Sequence, residues 1–199
     1  MSRKRIGVFL DRDGTLNHEV DFVRTPDDLR LIEGAAEAVR MLNQRGVVTC
    51  VISNQSGVAR GYLSEGDLTP IHARLEKELA RGGAKVDRIY YCPHHPTEGF
   101  APYNVECDCR KPKPGMLLRG SRELEIDLTN SYVVGDSVVD MEAGHAVSAH
   151  TVLVLTGYGR ATREKCLNNN MHIDFIAPSI AEAAAYILER MDGESEHNG

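Results

Sequence analysis

Ile6-Gly-Val-Phe-Leu10-Asp11-Arg-Asp13-Gly14-Thr-Leu16 is the stretch on which the fold turns. Ile6 to Leu10 is continuously apolar, as a strand covered on both faces must be. The run stops abruptly at a carboxylate. A period of two then sends Asp11 and Asp13 to one side of an extended chain, and Gly14 permits a tight turn. A buried strand that ends in polar side chains is the pattern of open α/β sheets, whose ligands sit beyond the carboxyl ends of the strands.

Further along, strands and helices alternate. Glu33 to Arg45 carries Ala35, Ala36, Val39 and Leu42 at helical spacing, with Gly46 to end it. Val47 to Ile52 predicts a second strand. Ser64-Glu-Gly-Asp67 is a capping pattern before the apolar stripe Leu68, Ile71, Leu75 and Leu79. Val86 to Tyr91 predicts a third strand, and residues 92–110 a loop. Pro114 to Leu124 predicts a helix with Pro at its start. Ser131 to Val134 and Thr151 to Leu155 predict strands around a helix near Val138 to Val147. A short sixth strand is expected at His172 to Ile176 and a last helix at Ile180 to Met191. The pattern implies an α/β fold: a Rossmann-like, doubly wound, mostly parallel sheet in one domain over residues 1–191. Residues 192–199 are polar and expected to be a disordered tail.

The chain has 199 residues and a net charge of −6, so no global basic field draws it to nucleic acid or anionic lipid. No apolar run approaches the roughly 18 residues of a membrane span. The first apolar run ends in Asp11-Arg-Asp13, unlike a signal-peptide core, and a cytoplasmic protein is expected. A monomer is expected as well.

The strand ends hold the chemistry. At about 4 Å and an effective dielectric near 20, two carboxylates such as Asp11 and Asp13 repel by roughly 4 kcal/mol. A bound cation would offset that, and an oxygen-rich site suits Mg²⁺. Asp136 follows the fourth strand and is placed to complete the site; Asp140 lies four residues on. Ser53 offers a hydroxyl at the end of the second strand, and Arg110 and Lys111 supply positive charge. An Asp-x-Asp alone is as a rule a turn or a solvated strand end. Joint placement at three strand ends, with a lysine before a helix, is the composition that a phosphoryl group needs. The expected geometry has the side chains of Asp11, Asp13 and Asp136 around one cation, with Lys111 across a phosphate-sized gap.

Cys92, His94, Cys107 and Cys109 form a Cys₃His set suited to structural Zn²⁺, with His95 competing for the histidine position. A clamped loop would fix Arg110 and Lys111, which follow Cys109 directly.

Asp11-Arg-Asp-Gly-Thr-Leu16 resembles the signature of the haloacid dehalogenase superfamily of phosphatases, and Ser53-Asn54, Lys111 and Gly135-Asp136 with Asp140 match its other motifs in order. The resemblance implies that Asp11 attacks phosphorus as a covalent nucleophile and that Asp13 serves as general acid, then base. It implies Mg²⁺ on the Asp11 and Asp136 carboxylates and the Asp13 carbonyl, and phosphate on Ser53, Asn54, Arg110 and Lys111. Asp140 would support the metal's water shell or orient Lys111. The superfamily's large cap domain has no room here, so an open pocket is expected. Asn54-Gln-Ser-Gly-Val-Ala-Arg-Gly-Tyr62, Cys92-Pro-His-His and Cys107-Asp-Cys-Arg-Lys-Pro-Lys-Pro-Gly-Met116 are similar to the heptose-bisphosphate phosphatase branch, and more weakly to the histidinol-phosphate branch. That pattern favours His94 over His95. It implies a small phosphorylated sugar met by Glu19, Asp21, Gln55, Ser56 and Arg60, with Arg60 or Arg110 for a second phosphate. Ser137 departs from the branch, which carries Lys or Arg there. A receiver module would share the Asp, hydroxyl, Lys and Mg²⁺, but an acid–base residue beside the nucleophile favours turnover over storage of the phosphoryl group.

Overall fold

The computed structural model describes residues 5–197, with side chains for residues 5–193. A six-stranded sheet runs through it, β1 (Gly7–Leu10), β2 (Val48–Asn54), β3 (Arg88–Cys92), β4 (Tyr132–Gly135), β5 (His150–Val154) and β6 (Phe175–Ala177), all pairs parallel, in the order β3-β2-β1-β4-β5-β6. The helices are α1 (Ala35–Gln44), α2 (Glu65–Arg81), α3 (Gly115–Leu124), α4 (Val138–His145), α5 (Gly159–Asn168) and α6 (Ile180–His197). The expected doubly wound α/β architecture is therefore present.

Alternation along the strands explains why β1 reads as unbroken apolar sequence. Val8 and Leu10 face a core built with Val39 and Leu42 of α1, Leu68 to Leu79 of α2 and Ile187 of α6. Phe9 points the other way, into a second core with Met116 and Leu117 of α3 and Ala143 of α4. Each face is covered, so each strand residue needs an apolar side chain. Leu75 of α2 is fully buried. Leu75→Ala should cost about 3 kcal/mol in a urea titration, through lost transfer energy and a residual cavity; a loss below about 1 kcal/mol would mean that α2 relaxes into the space.

Register sets the site. Leu10 lies opposite both Val51 and Val134, so Asp11, Ser53 and Asp136 emerge at one edge. The chain winds outward from β1 to β3, then returns to β4 on the other side. β1 and β4 thus flank the switch point at which open sheets bind ligands.

Three elements differ from expectation. α5 carries no apolar stripe; it buries Gly159, Thr162 and Cys166 instead, which no hydrophobic period announces. β6 starts at Phe175, because the Asp174 carboxylate takes the Thr151 N–H at 2.8 Å that a longer strand would have bonded through its backbone. α6 runs on to His197, so the expected tail is in part helix; Asn198 and Gly199 lie outside the described residues. Among the described residues, no helix is long and apolar enough to cross a membrane.

Candidate active site

Asp11 follows β1 directly, and its N–H donates to the Val134 carbonyl at 2.9 Å, which extends the ladder one residue into the site. Asp136 follows β4, and Asp140 lies in the first turn of α4. All three are buried, and one oxygen of each lies within 4.8 Å of the others. Lys111 sits among them. Its ammonium donates to Asp11 Oδ1 at 2.6 Å, to Asp140 Oδ1 at 2.6 Å and to the Ile52 carbonyl at 2.8 Å, which uses all its protons. Two expectations need correction here. Lys111 touches Asp11 directly rather than across a phosphate-sized gap. Asp140, not the Asp13 side chain, is the third member of the acidic cluster. Asp140 has a further tie: its Oδ2 accepts from the Ser137 N–H at 3.1 Å and hydroxyl at 2.5 Å, in the box that caps α4. That box fixes the carboxylate that holds Lys111, and it needs the small hydroxyl residue that departs from the branch pattern.

The charges do not balance. Three buried carboxylates face one ammonium. Burial pushes Asp11 well above the ordinary carboxylate value; Lys111 opposes it, and Asp140, Asp136 and Asp13 add to it. Burial pushes Asp136 up to about 7, against the pull of the Tyr158 N–H, which donates to its Oδ2 at 2.7 Å. An all-oxygen cluster short of positive charge fits a hard dication such as Mg²⁺. Close packing leaves this acid no room to move. A Cβ on Gly14 (φ 83°) would come 2.1 Å from Asp136 Oδ2, and one on Gly157 (φ 51°) 2.0 Å.

Asp13 turns to a different set of partners. Arg12 donates to Oδ1 from Nε (3.1 Å) and Nη2 (3.0 Å), and to Oδ2 from Nη2 (2.8 Å). Asn17 Nδ2 reaches Oδ1 at 2.9 Å, and Gln55 Nε2 reaches Oδ2 at 3.0 Å and the Ser53 hydroxyl at 2.7 Å. Asn54 clamps the Lys111 backbone, donating to its carbonyl and accepting from its N–H, each at 3.0 Å. These two bonds position Lys111, and Asn54 also lines the cavity over the cluster.

An open cavity of about 220 Å³ lies over this cluster, lined in part by Asp11, Asp13, Ser53, Lys111 and Asp136. Of the expected sugar contacts, Glu19, Asp21, Gln55 and Ser56 line it. Burial pushes the Glu19 carboxyl up, with Asp13 adding to the effect. Arg60 and Arg110 are not in the lining: Arg60 pairs with Glu98, and Arg110 Nη1 donates to the His94 carbonyl at 3.1 Å.

The cysteine loop converges as expected. Cys92 Sγ lies 3.5 Å from Cys107 Sγ and 3.7 Å from His94 Nδ1; Cys109 Sγ lies 3.4 Å from Cys107 Sγ and 3.5 Å from His94 Nδ1. Ligands on arms of about 2.3 Å in a tetrahedron stand roughly 3.8 Å apart, so the set fits Zn²⁺. Hydrogen bonds, that from Cys92 first, pull the Cys109 thiol down to about 5, and the same contact pushes Cys92 up. His95 is engaged elsewhere, its Nδ1 accepting from the Glu98 N–H at 3.0 Å. Glu65 of α2 accepts from the hydroxyls of Tyr91 and Tyr103 at 2.9 and 2.8 Å, which ties the loop to the sheet.

Several site residues escaped the sequence reading. Arg12 is wholly buried; a charged residue set between two acids at the end of an apolar strand was the available signal. His72 of α2 is held neutral by burial and by Arg12, its value pushed down to about 4. Tyr158 and Gly157 reach the site from the loop after β5, and no motif announces them.

Comparison with known proteins finds relatives over most of the chain. A HAD-hydrolase-like family model matches residues 108–183. A D-glycero-β-D-manno-heptose-1,7-bisphosphate 7-phosphatase of Pasteurella multocida is 48% identical over 151 residues, 75% of this chain and 82% of the relative. A solved structure of a D,D-heptose 1,7-bisphosphate phosphatase from B. bronchiseptica, complexed with magnesium and phosphate, superposes with a TM-score of 0.82 at 33% identity, over 93% of this chain and 99% of the other. One from Burkholderia thailandensis gives 0.69 at 27% identity, over 92% and 99%.

Proposed function

We propose, on the premise that this chain belongs to the heptose-1,7-bisphosphate 7-phosphatase family of haloacid dehalogenase-like hydrolases, that it removes the 7-phosphate of D-glycero-β-D-manno-heptose 1,7-bisphosphate through a phosphoryl group carried on Asp11. The observation that carries the mechanism is the Lys111 ammonium 2.6 Å from the Asp11 carboxylate, inside an acidic cluster at the switch point of the sheet.

Asp11 attacks phosphorus in line, and the bond from phosphorus to the sugar oxygen breaks. Asp13 hands its proton to that oxygen, then takes one from the water that releases phosphate. The Ser53 hydroxyl and the Lys111 ammonium, which exchanges a carboxylate partner for a phosphoryl oxygen, hold the transferring group. The carboxylates of Asp11 and Asp136 and the carbonyl of Asp13 would hold Mg²⁺, which would supply charge neutralisation for the transferring group. Arg110, whose Nη1 donates to the His94 carbonyl, would meet the second phosphate beyond the cavity lining, and the acids Glu19 and Asp21 face sugar hydroxyls.

The test is a comparison of kcat/KM for the heptose bisphosphate anomers, fructose 1,6-bisphosphate and histidinol phosphate. The β-anomer should lead; a lead for histidinol phosphate would overturn the assignment. Metal binding has its own readout. A carboxyl raised to about 7 must lose its proton to take a cation. The rise in melting temperature with Mg²⁺ should therefore grow between about pH 6 and pH 8. An equal rise at both would remove Asp136 from the ligand set.

Zinc should matter through position rather than chemistry. Cys107→Ser is expected to lose the metal and, through the displaced Lys111, to lower kcat by at least about tenfold. Zinc content and turnover measured on one sample decide it: full activity in zinc-free protein would separate the loop from the site.

A further inference from the structure

The Arg12 guanidinium is an expensive feature that the mechanism above leaves unused. A charged side chain with no exposed surface is retained only where its partners are well arranged. Arg12 spends two nitrogens on Asp13, three contacts at 2.8 to 3.1 Å, and shares Nη2 with Gln55 Oε1 at 3.2 Å. Gln55 turns its other end to Asp13 Oδ2 (3.0 Å) and to the Ser53 hydroxyl (2.7 Å). The result is a closed polar frame. It joins the acid–base carboxyl to the hydroxyl that faces the phosphoryl group. Among the described residues the remaining nitrogen, Nη1, is buried without a hydrogen-bond partner, so the side chain is placed for Asp13 at the expense of its own satisfaction. His72, whose Nε2 is likewise buried without a hydrogen-bond partner among the described residues, adds no competing charge.

We propose that Arg12, acting with Gln55, is a positioning residue for leaving-group protonation: the frame aims the Asp13 carboxyl at the bridging oxygen while Ser53 holds the same phosphoryl group. The proposal rests on the functional reading above. In the first half-reaction the Asp11–phosphorus bond forms, the phosphorus–oxygen ester bond breaks, and the proton of Asp13 goes to the departing alkoxide, which leaves as an alcohol. An alkoxide needs that proton. A p-nitrophenolate does not, because it is stable as an anion. Misaiming Asp13 should therefore penalise poor leaving groups selectively, whereas damage to the nucleophile or to phosphate binding penalises all esters alike.

Benzyl phosphate and p-nitrophenyl phosphate are close in size and make none of the contacts of a sugar, so their kcat/KM ratio reports leaving-group protonation. Asp13→Asn sets the reference, with a selective loss of about 10²-fold or more on benzyl phosphate. Arg12→Lys keeps the charge but not the fork, and should lose at least about tenfold on benzyl phosphate with less than about threefold on p-nitrophenyl phosphate. Gln55→Leu, at the cavity wall, should show the same selectivity to a smaller degree, and it carries the test if Arg12→Lys fails to fold. Equal losses on both esters in the folded variants, or no loss, would overturn the proposal. Loss of selectivity in Asp13→Asn itself would instead overturn the acid–base assignment, and absence of a phosphoryl-enzyme in the wild type would overturn the role of Asp11.

Discussion

Asp11→Asn is expected to abolish turnover, with kcat lower by about 10⁵-fold or more, while the folded state keeps its stability or gains some. The substitution keeps the shape and an oxygen for the Lys111 ammonium, and it removes the oxygen proposed to bond phosphorus. It also removes one negative charge from a cluster in which three buried carboxylates face one lysine. The pH dependence follows from the raised value of Asp11. A carboxyl whose folded-state value lies above its unfolded one destabilises the fold where it is ionised, and the penalty fades as pH falls through the raised value. The melting temperature of the variant should therefore exceed that of the metal-free wild type most at about pH 8 and least near pH 5. Acid quenching of the wild type with labelled substrate should trap a phosphoryl group that Asp11→Asn never forms. Residual turnover within about a hundredfold of wild type would place the nucleophile elsewhere.

The candidate site is legible where strand ends dictate it. Asp11, Ser53 and Asp136 follow apolar runs that can only be buried strands, and parallel pairing brings their ends to one edge. Cys92, His94, Cys107 and Cys109 were legible because thiols and imidazole at that spacing have one obvious use. Legibility failed where the third dimension decides. The Asp13 side chain follows strand alternation to the site, yet its partners Arg12 and Gln55 draw it out of the acidic cluster, a pull set by tertiary contacts. Arg60 is an expected anion contact from its loop, and its pairing with Glu98 of the cysteine loop is a tertiary contact that no motif announces. Helix α5 was missed because glycine, threonine and cysteine fill its buried face, and β6 was misplaced because a side-chain carboxylate ends a ladder that sequence patterns extend. The common cause is that amphipathic periods report burial, whereas these features depend on which polar group meets which.

Lys111→Met should combine the largest stability loss with a deep loss of activity. Methionine matches the stem of lysine and offers no donor. Asp11 and Asp140 would then face each other inside the fold, and Asp140 has no access to water. Breaking a buried ion pair from one side costs about 3–5 kcal/mol, because the remaining charge is left uncompensated. Turnover should fall by about 10³-fold, since an ammonium is lost where phosphoryl charge develops. The sign of the pH effect separates this from general damage. In the wild type the raised lysine keeps its contribution throughout the neutral range and loses it only in strong alkali. In the variant the Asp11 carboxyl, already pushed up by burial and now without Lys111 to oppose it, should take up a proton more readily, so the deficit should shrink between about pH 7.5 and pH 5. Urea denaturation at both pH values measures this. Adding Asp140→Asn to Lys111→Met should recover part of the loss, because it removes one of the two stranded charges; a double variant no more stable than Lys111→Met would show that the cost lies in packing, and the electrostatic account of the site would have to be given up.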